Sequence, residues 1–147
     1  MKRRIAGILA IAGLLAFPSW AESPEQAQFD FANGLFQRGF HKEAMEEYKV
    51  YLEKYPQGEY VPLAQYRMGE AAYAAHDYSS ALEAFDKVLA GNADPDTKKR
   101  AKLSRGEVLY CLKRPADALV AIEPIAAEES TPELRARALY HLGRINA

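Results

Sequence analysis

A spacing of 37 residues runs through this chain and restricts its fold more than any other feature. Gly69, Gly106 and Gly143 lie 37 apart, and one step back stands Ala32. Ala44, Ala81 and Ala118 keep the same step, as do Ala27, Ala64, Ala101 and Ala138. The large residues follow it too: Phe36, Tyr73 and Tyr110; Tyr48, Phe85 and Ile122; Phe29, Tyr66, Leu103 and Tyr140. A recurrence of this length marks a repeat array, in which each unit buries its apolar face against the next.

Each unit reads as two helices. First helices are predicted over 25–38, 60–75, 97–112 and 132–146, and second helices over 41–55, 78–90 and 115–128. Turn-forming residues separate them: Gly39, Pro56-Gln57-Gly58, His76-Asp77, Gly91 to Pro95, Lys113-Arg114-Pro115 and Ser130-Thr131-Pro132. Asp94 before Pro95 and Thr131 before Pro132 read as helix starts, because a side-chain oxygen precedes a proline whose missing N–H costs nothing there. Pro124 falls inside the last second helix and is expected to kink or shorten it. No stretch alternates with period two for long enough to make a strand. The expected fold is all-α: an α–α superhelix of three helix hairpins, 25–58, 60–95 and 97–131, closed by a capping helix over 132–147.

The intrahelical glycines need a reason, since Gly costs about 1 kcal/mol relative to Ala in a helix interior. Two helices of a hairpin approach to about 8–10 Å, and a small residue at the crossing permits it. The expected facing pairs are Ala32 with Ala44, Gly69 with Ala81, and Gly106 with Ala118. Tyr78 and Phe85 close over the second, and Gly143 repeats the same position in the last unit.

The first 21 residues read differently. Lys2, Arg3 and Arg4 precede an apolar run from Ile5 to Phe17, and small residues at Ser19 and Ala21 follow it. This is the pattern of a secretory signal peptide cleaved between Ala21 and Glu22. The run is 13 residues, short of the ~20 that a bilayer span needs. Export to the periplasm is therefore expected, with no membrane span after cleavage. The remaining 22–147 holds 16 basic and 20 acidic side chains, a net charge of −4. That balance argues against a nucleic-acid partner. Cys111 is the only cysteine, so no internal disulfide can form and packing alone must hold the domain. On its apolar stretch, Cys111 reads as a small buried or half-buried residue.

The string Met68-Gly69, Tyr73, His76-Asp77-Tyr78, Ala81 and Phe85 resembles a tetratricopeptide repeat, whose pattern carries Gly, an aromatic, a Gly-Asp-Tyr-like turn, an Ala and a second aromatic. Gly39, Ala44, Tyr48 and Pro56 echo it in the first unit, and Gly106, Tyr110, Ala118 and Ile122 in the third. The period is 37 rather than about 34. That length, with Tyr55-Pro56, Gly58, Tyr60, Pro62 and Ala64, is similar to periplasmic cell-envelope repeat proteins of the Tol–Pal-associated cell-division and β-barrel-assembly types. The resemblance implies a non-catalytic adaptor whose first helices line a concave groove for a segment of another envelope protein. The groove residues it implies are Tyr66, Glu70, Tyr73, Arg100, Leu103, Glu107, Tyr110, Arg137 and Tyr140. Tyr66 and Leu103 stand where relatives that clamp a peptide carboxylate carry a Lys, which disfavours a C-terminal ligand. Two alternatives stay open: a self-associating module whose groove holds another copy, or a piece of a longer repeat protein.

No catalytic or cofactor motif accompanies this pattern. His41, His76 and His141 match no metal-ligand spacing and read as polar turn or surface residues. Glu43, Glu46, Glu47 and Glu53 sit beside Lys42, Lys49 and Lys54 as a solvated face. Lys98-Lys99-Arg100, with Lys102 and Arg105, is the one concentrated basic run, and it gains a role only if it lines the groove.

Overall fold

The computed structural model describes residues 23–127 and 131–147; the predicted signal peptide and cleavage site lie outside them. Among these described residues seven helices follow in order: α1 (Pro24–Gln37), α2 (His41–Lys54), α3 (Val61–Ala74), α4 (Tyr78–Ala90), α5 (Pro95–Cys111), α6 (Pro115–Ala127) and α7 (Pro132–Ile145). There is no strand among the described residues.

Each helix packs on the next, and α1, α3, α5 and α7 also touch one another in succession, whereas α2, α4 and α6 do not. The odd helices form the close layer and the even helices the splayed one, so the array curves toward the odd layer. The protein is an α–α superhelix of three hairpins plus a terminal helix. Three apolar clusters run along it, each shared between neighbouring hairpins. Ala64, Ala101 and Ala138 are fully buried, because a preceding helix covers them. Ala27 is exposed at the start of the array.

Helix starts follow the predicted chemistry. The Asp94 carboxylate accepts the backbone N–H groups of Asp96 and Thr97, both at 3.0 Å, and Thr131 Oγ1 accepts that of Leu134 at 3.3 Å. Asp77 caps α4 in the same way through Ser80. These bonds satisfy donors that have no partner within the helix. Pro124 does not end α6, which runs on to Ala127. Pro124 lies on the exposed side, so the bond its nitrogen cannot make is lost where water can replace it.

The turn inside every hairpin is the same device. Gly39, His76 and Lys113, again 37 apart, have φ of 82°, 62° and 62°. Each donates its N–H to the carbonyl three back, and the following residue donates to the carbonyl five back: Phe40 to Leu35, Asp77 to Ala72, Arg114 to Leu109. This is the left-handed close that glycine favours. A side chain there is strained, so Lys113→Gly is expected to stabilise the protein by roughly 0.5–1 kcal/mol, read from urea midpoints.

At two of the expected facing pairs a large residue makes the closest contact. A Cβ added at Gly69 would come within 2.7 Å of the Phe85 ring, and one at Gly106 within 2.4 Å of Ile122. The nearest neighbour of the glycine is therefore the large residue 16 positions on, and at Gly106 the Ala118 backbone oxygen also comes within 3.4 Å of such a Cβ. Ala81 and Ala118 are fully buried beside these contacts. Ala32 and Tyr48 occupy the same two positions in the first hairpin, both fully buried. Gly143 departs from the series: nothing lies within 4 Å of a Cβ built there.

Candidate functional site

The inner layer brings four of the sequence-predicted groove residues together. Glu70 and Tyr73 on α3, Glu107 on α5 and Arg137 on α7 line one hollow of about 190 Å³, with Phe36, Ala74, Phe85 and Ser104. Their elements are the odd helices, apart from Phe85 of α4. Helical spacing explains the alignment, because Arg100, Ser104 and Glu107 recur at four and three residues on α5 and share a face. A second hollow continues along the same layer between α1 and α3, lined by Phe29, Asn33, Phe36, Leu63 and Arg67.

The floor of the groove is a chain of polar contacts. Glu107 is only 3% exposed. Arg137 grips it with two donors, Nε to one carboxylate oxygen at 2.6 Å and Nη2 to the other at 2.5 Å. The same Nη2 reaches Ser104 Oγ at 3.3 Å. On α3 the Tyr66 hydroxyl donates to Glu70 at 2.9 Å, and Arg67 donates to the other Glu70 oxygen at 2.9 Å. A buried carboxylate persists only when its charge is met in this way. The bidentate fork of arginine meets both oxygens at once.

His141 completes the cluster, with Nε2 3.0 Å from Glu107 Oε1. Its pKa is held below the ordinary value, chiefly by burial; Glu107 pulls the other way, and Arg137 and Arg144 add to the lowering. The close contact to a carboxylate and the lowered pKa agree if the neutral ring carries its proton on Nε2 and donates it to Glu107. The folded protein therefore resists protonating this ring more than the unfolded chain does. Stability should fall as pH drops below about 6.5, and His141→Gln should flatten that fall. An NMR titration of the ring should give a midpoint below 6.5; a midpoint above it contradicts this arrangement.

The remaining predicted residues take other places. Leu103 is fully buried in the core with Ile122, Ile125, Leu134 and Ala138, and offers no surface to a partner. Tyr66 is 4% exposed and packs on Phe85 at 5.8 Å between ring centres, so it shapes the groove from beneath. Tyr73 lines the hollow with its hydroxyl 4.0 Å from the Cys111 sulfur, and its pKa is pushed up to about 12, first by burial and then by that thiol. Arg100 is exposed one turn before Ser104 and pairs with Asp96 at 2.5 Å. Arg105 of the same basic run pairs with Asp86 at 2.5 Å. Tyr110 and Tyr140 form a separate group near the end of α7, where the Arg144 guanidinium lies 5.3 Å and 5.7 Å from their ring centres.

Phe36, Ser104 and His141 also belong to the site: sequence reasoning placed Phe36 only in a repeat series, passed over Ser104, and read His141 as a polar turn or surface residue, whereas its side chain is 12% exposed against Glu107. Ser104 lies three residues before Glu107 on α5, and His141 four after Arg137 on α7, which is the helical spacing that could have found them. Among the described residues no helix is long and apolar enough to cross a membrane. No protein-family model and no curated protein sequence matches the chain.

Proposed function

We propose that this protein is a non-catalytic scaffold of the tetratricopeptide type, exported to the periplasm, whose inner face binds a segment of another envelope protein in cell-envelope assembly or division. The observation that carries the reading is the hollow where α3, α5 and α7 converge, with Glu70, Tyr73, Glu107 and Arg137 on its wall. It lies on the concave layer of a repeat array, the surface such arrays use for extended partners. Its lining mixes aromatic carbon with charged groups whose positions are already held by internal bonds. A groove organised in advance loses little entropy on binding, and Tyr and Arg are the residues that dominate protein contacts. The net charge of −4 expected for 22–147 favours a protein segment over nucleic acid.

The test is Tyr73→Ala combined with Arg100→Ala. Arg100 is exposed and Tyr73 partly so, so the variant should keep its helical circular dichroism. The expected result is loss of at least one specific partner from crosslinked envelope extracts. An unchanged set of partners, with the fold intact, would remove the groove assignment.

A further inference from the structure

A second recess opens on the splayed layer. Helices α2 and α4 do not touch. Between the start of α2 and the turn that precedes α4 lies a hollow of about 420 Å³, against about 190 Å³ for the one on the inner layer. It continues into a hollow of about 230 Å³, which shares Met45 and Glu46 and adds Met68, Glu83 and Lys87. Both walls are internal helices, and among the described residues no helix packs between two even helices anywhere in the array. The recess is therefore a feature of the repeat itself. Its floor is apolar: Met45 and Met68 are half-buried there, and Ala75 adds little bulk. The flexible thioether of methionine suits a surface that must fit a side chain from outside.

The charge around the recess is one-sided. Four carboxylates, Glu43, Glu46, Glu47 and Asp77, face the single ammonium of Lys42. Glu43 and Glu46 are exposed and enter no ion pair among the described residues. Glu47 accepts a bond from the neutral amide of Gln28, at 2.8 Å, which leaves its charge unmatched. The repeat does not require these acids. One step of 37 further on, the same seven positions hold Ser79, Ser80, Leu82, Glu83, Ala84, Leu112 and Arg114, with one acid against one base. The same hairpin arrangement is built there without an acidic excess, so packing does not account for it.

We propose that the gap between α2 and α4 is a second docking surface, whose occupant is a cationic amphipathic segment of another protein. Its apolar side chains rest on Met45 and Met68, and its Lys or Arg side chains meet Glu43, Glu46 and Glu47. Charge complementarity selects this occupant. An acidic segment would bring like charges together, and a neutral apolar one would take the carboxylates out of water without a partner. From Lys42 to Lys49 the wall is about 10 Å long, which two turns of a docked helix match. No residue lines both this recess and the inner hollow, so each can be filled without the other.

Fluorescence anisotropy on residues 22–147, which contain every described helix, tests this. The probe is a labelled amphipathic peptide of about 14 residues made only of Leu and Lys at helical spacing, and its twin carries Glu in place of Lys. The Lys peptide should bind with a Kd on the order of 10 µM, weakened several-fold between about 0.05 and 0.5 M salt, and the Glu peptide should not bind. Glu43→Gln, Glu46→Gln and Glu47→Gln together should raise the Kd by about tenfold or more. Gln keeps the size of Glu and the oxygen that Gln28 uses, so the helical circular dichroism should not change. Glu53→Gln, Glu123→Gln and Glu133→Gln together make the same change in net charge at exposed positions outside the recess, and should raise the Kd by less than about twofold. Tyr73→Ala with Arg100→Ala, on the inner layer, should leave it unchanged. The proposal is overturned if the Lys peptide fails to bind at about 500 µM protein. Equal losses from the two sets of Gln substitutions also overturn it, since they mark diffuse attraction to an acidic protein. So does a loss found only in the inner-layer variant, which places the peptide in the other groove, or self-association of the protein alone that the first set abolishes, which makes a second copy the occupant.

Discussion

Arg137→Met is expected to lower the stability of the protein by about 3 kcal/mol, which corresponds to a melting point roughly 10 °C lower. The cost lies in what is left behind. Glu107 is buried against α7, and Arg137 supplies two of the donors that meet its charge. Methionine keeps the apolar stem but removes both. His141 then remains within reach of the carboxylate, which places the cost at the lower end of the usual range for breaking a buried pair. Arg137 is itself 40% exposed along its side chain, so water can approach the carboxylate once the guanidinium is gone, which also holds the cost down. The double variant Glu107→Gln with Arg137→Met should recover much of the loss, because no buried charge is then unpaired. A single variant within 1 kcal/mol of wild type would show that Glu107 finds other support.

Phe85→Ala should cost more, about 4 kcal/mol. The ring is 1% exposed, fills the space over Gly69 and packs against Tyr66. Its removal leaves a cavity between α3 and α4 in the middle of the array. Gly69→Ala is the informative companion. On helix propensity alone it would stabilise by about 1 kcal/mol. The added carbon would lie 2.7 Å from the Phe85 ring, and overpacking costs about 1–3 kcal/mol. The expected sign is therefore destabilising. In the Phe85→Ala background the same substitution should become favourable, since the obstructing ring is gone. That reversal in a double-mutant cycle distinguishes direct contact from two independent losses. If Gly69→Ala stabilises the wild-type protein, the close approach of α3 and α4 is wrong.

The fold was legible because every unit restates it. The 37-residue step sets helix ends to within about two residues, and the caps at Asp94 and Thr131 are local chemistry that a sequence displays openly. That Phe85 comes closest to Gly69 has a geometric reason. Helical side chains lean toward the N-terminus of their own helix, so the Phe85 ring reaches the level that backbone spacing assigns to Ala81. The left-handed turn residues were half hidden. Gly39 announces the conformation, but His76 and Lys113 do so only by lying 37 and 74 positions further on. Of the groove, Glu70, Tyr73, Glu107 and Arg137 could be placed on the inner layer by register. Their bonding could not, because Glu107 meets Arg137 across 30 residues, a separation outside the repeat. The burial of Leu103 and Tyr66 was also out of reach, since core and groove lie side by side on one helix and a turn of rotation separates them.

The account rests on the inner layer being the surface that receives a partner. A photo-crosslinking residue placed at Tyr73, in the hollow of the odd helices, and in a parallel experiment at Val120, on the outer side of α6 and 74% exposed, asks this directly. In cells, position 73 should give one or a few discrete crosslinked species that disappear in the Arg100→Ala background, and position 120 should give none of them. The same crosslinks from both positions, or none from position 73, would contradict it.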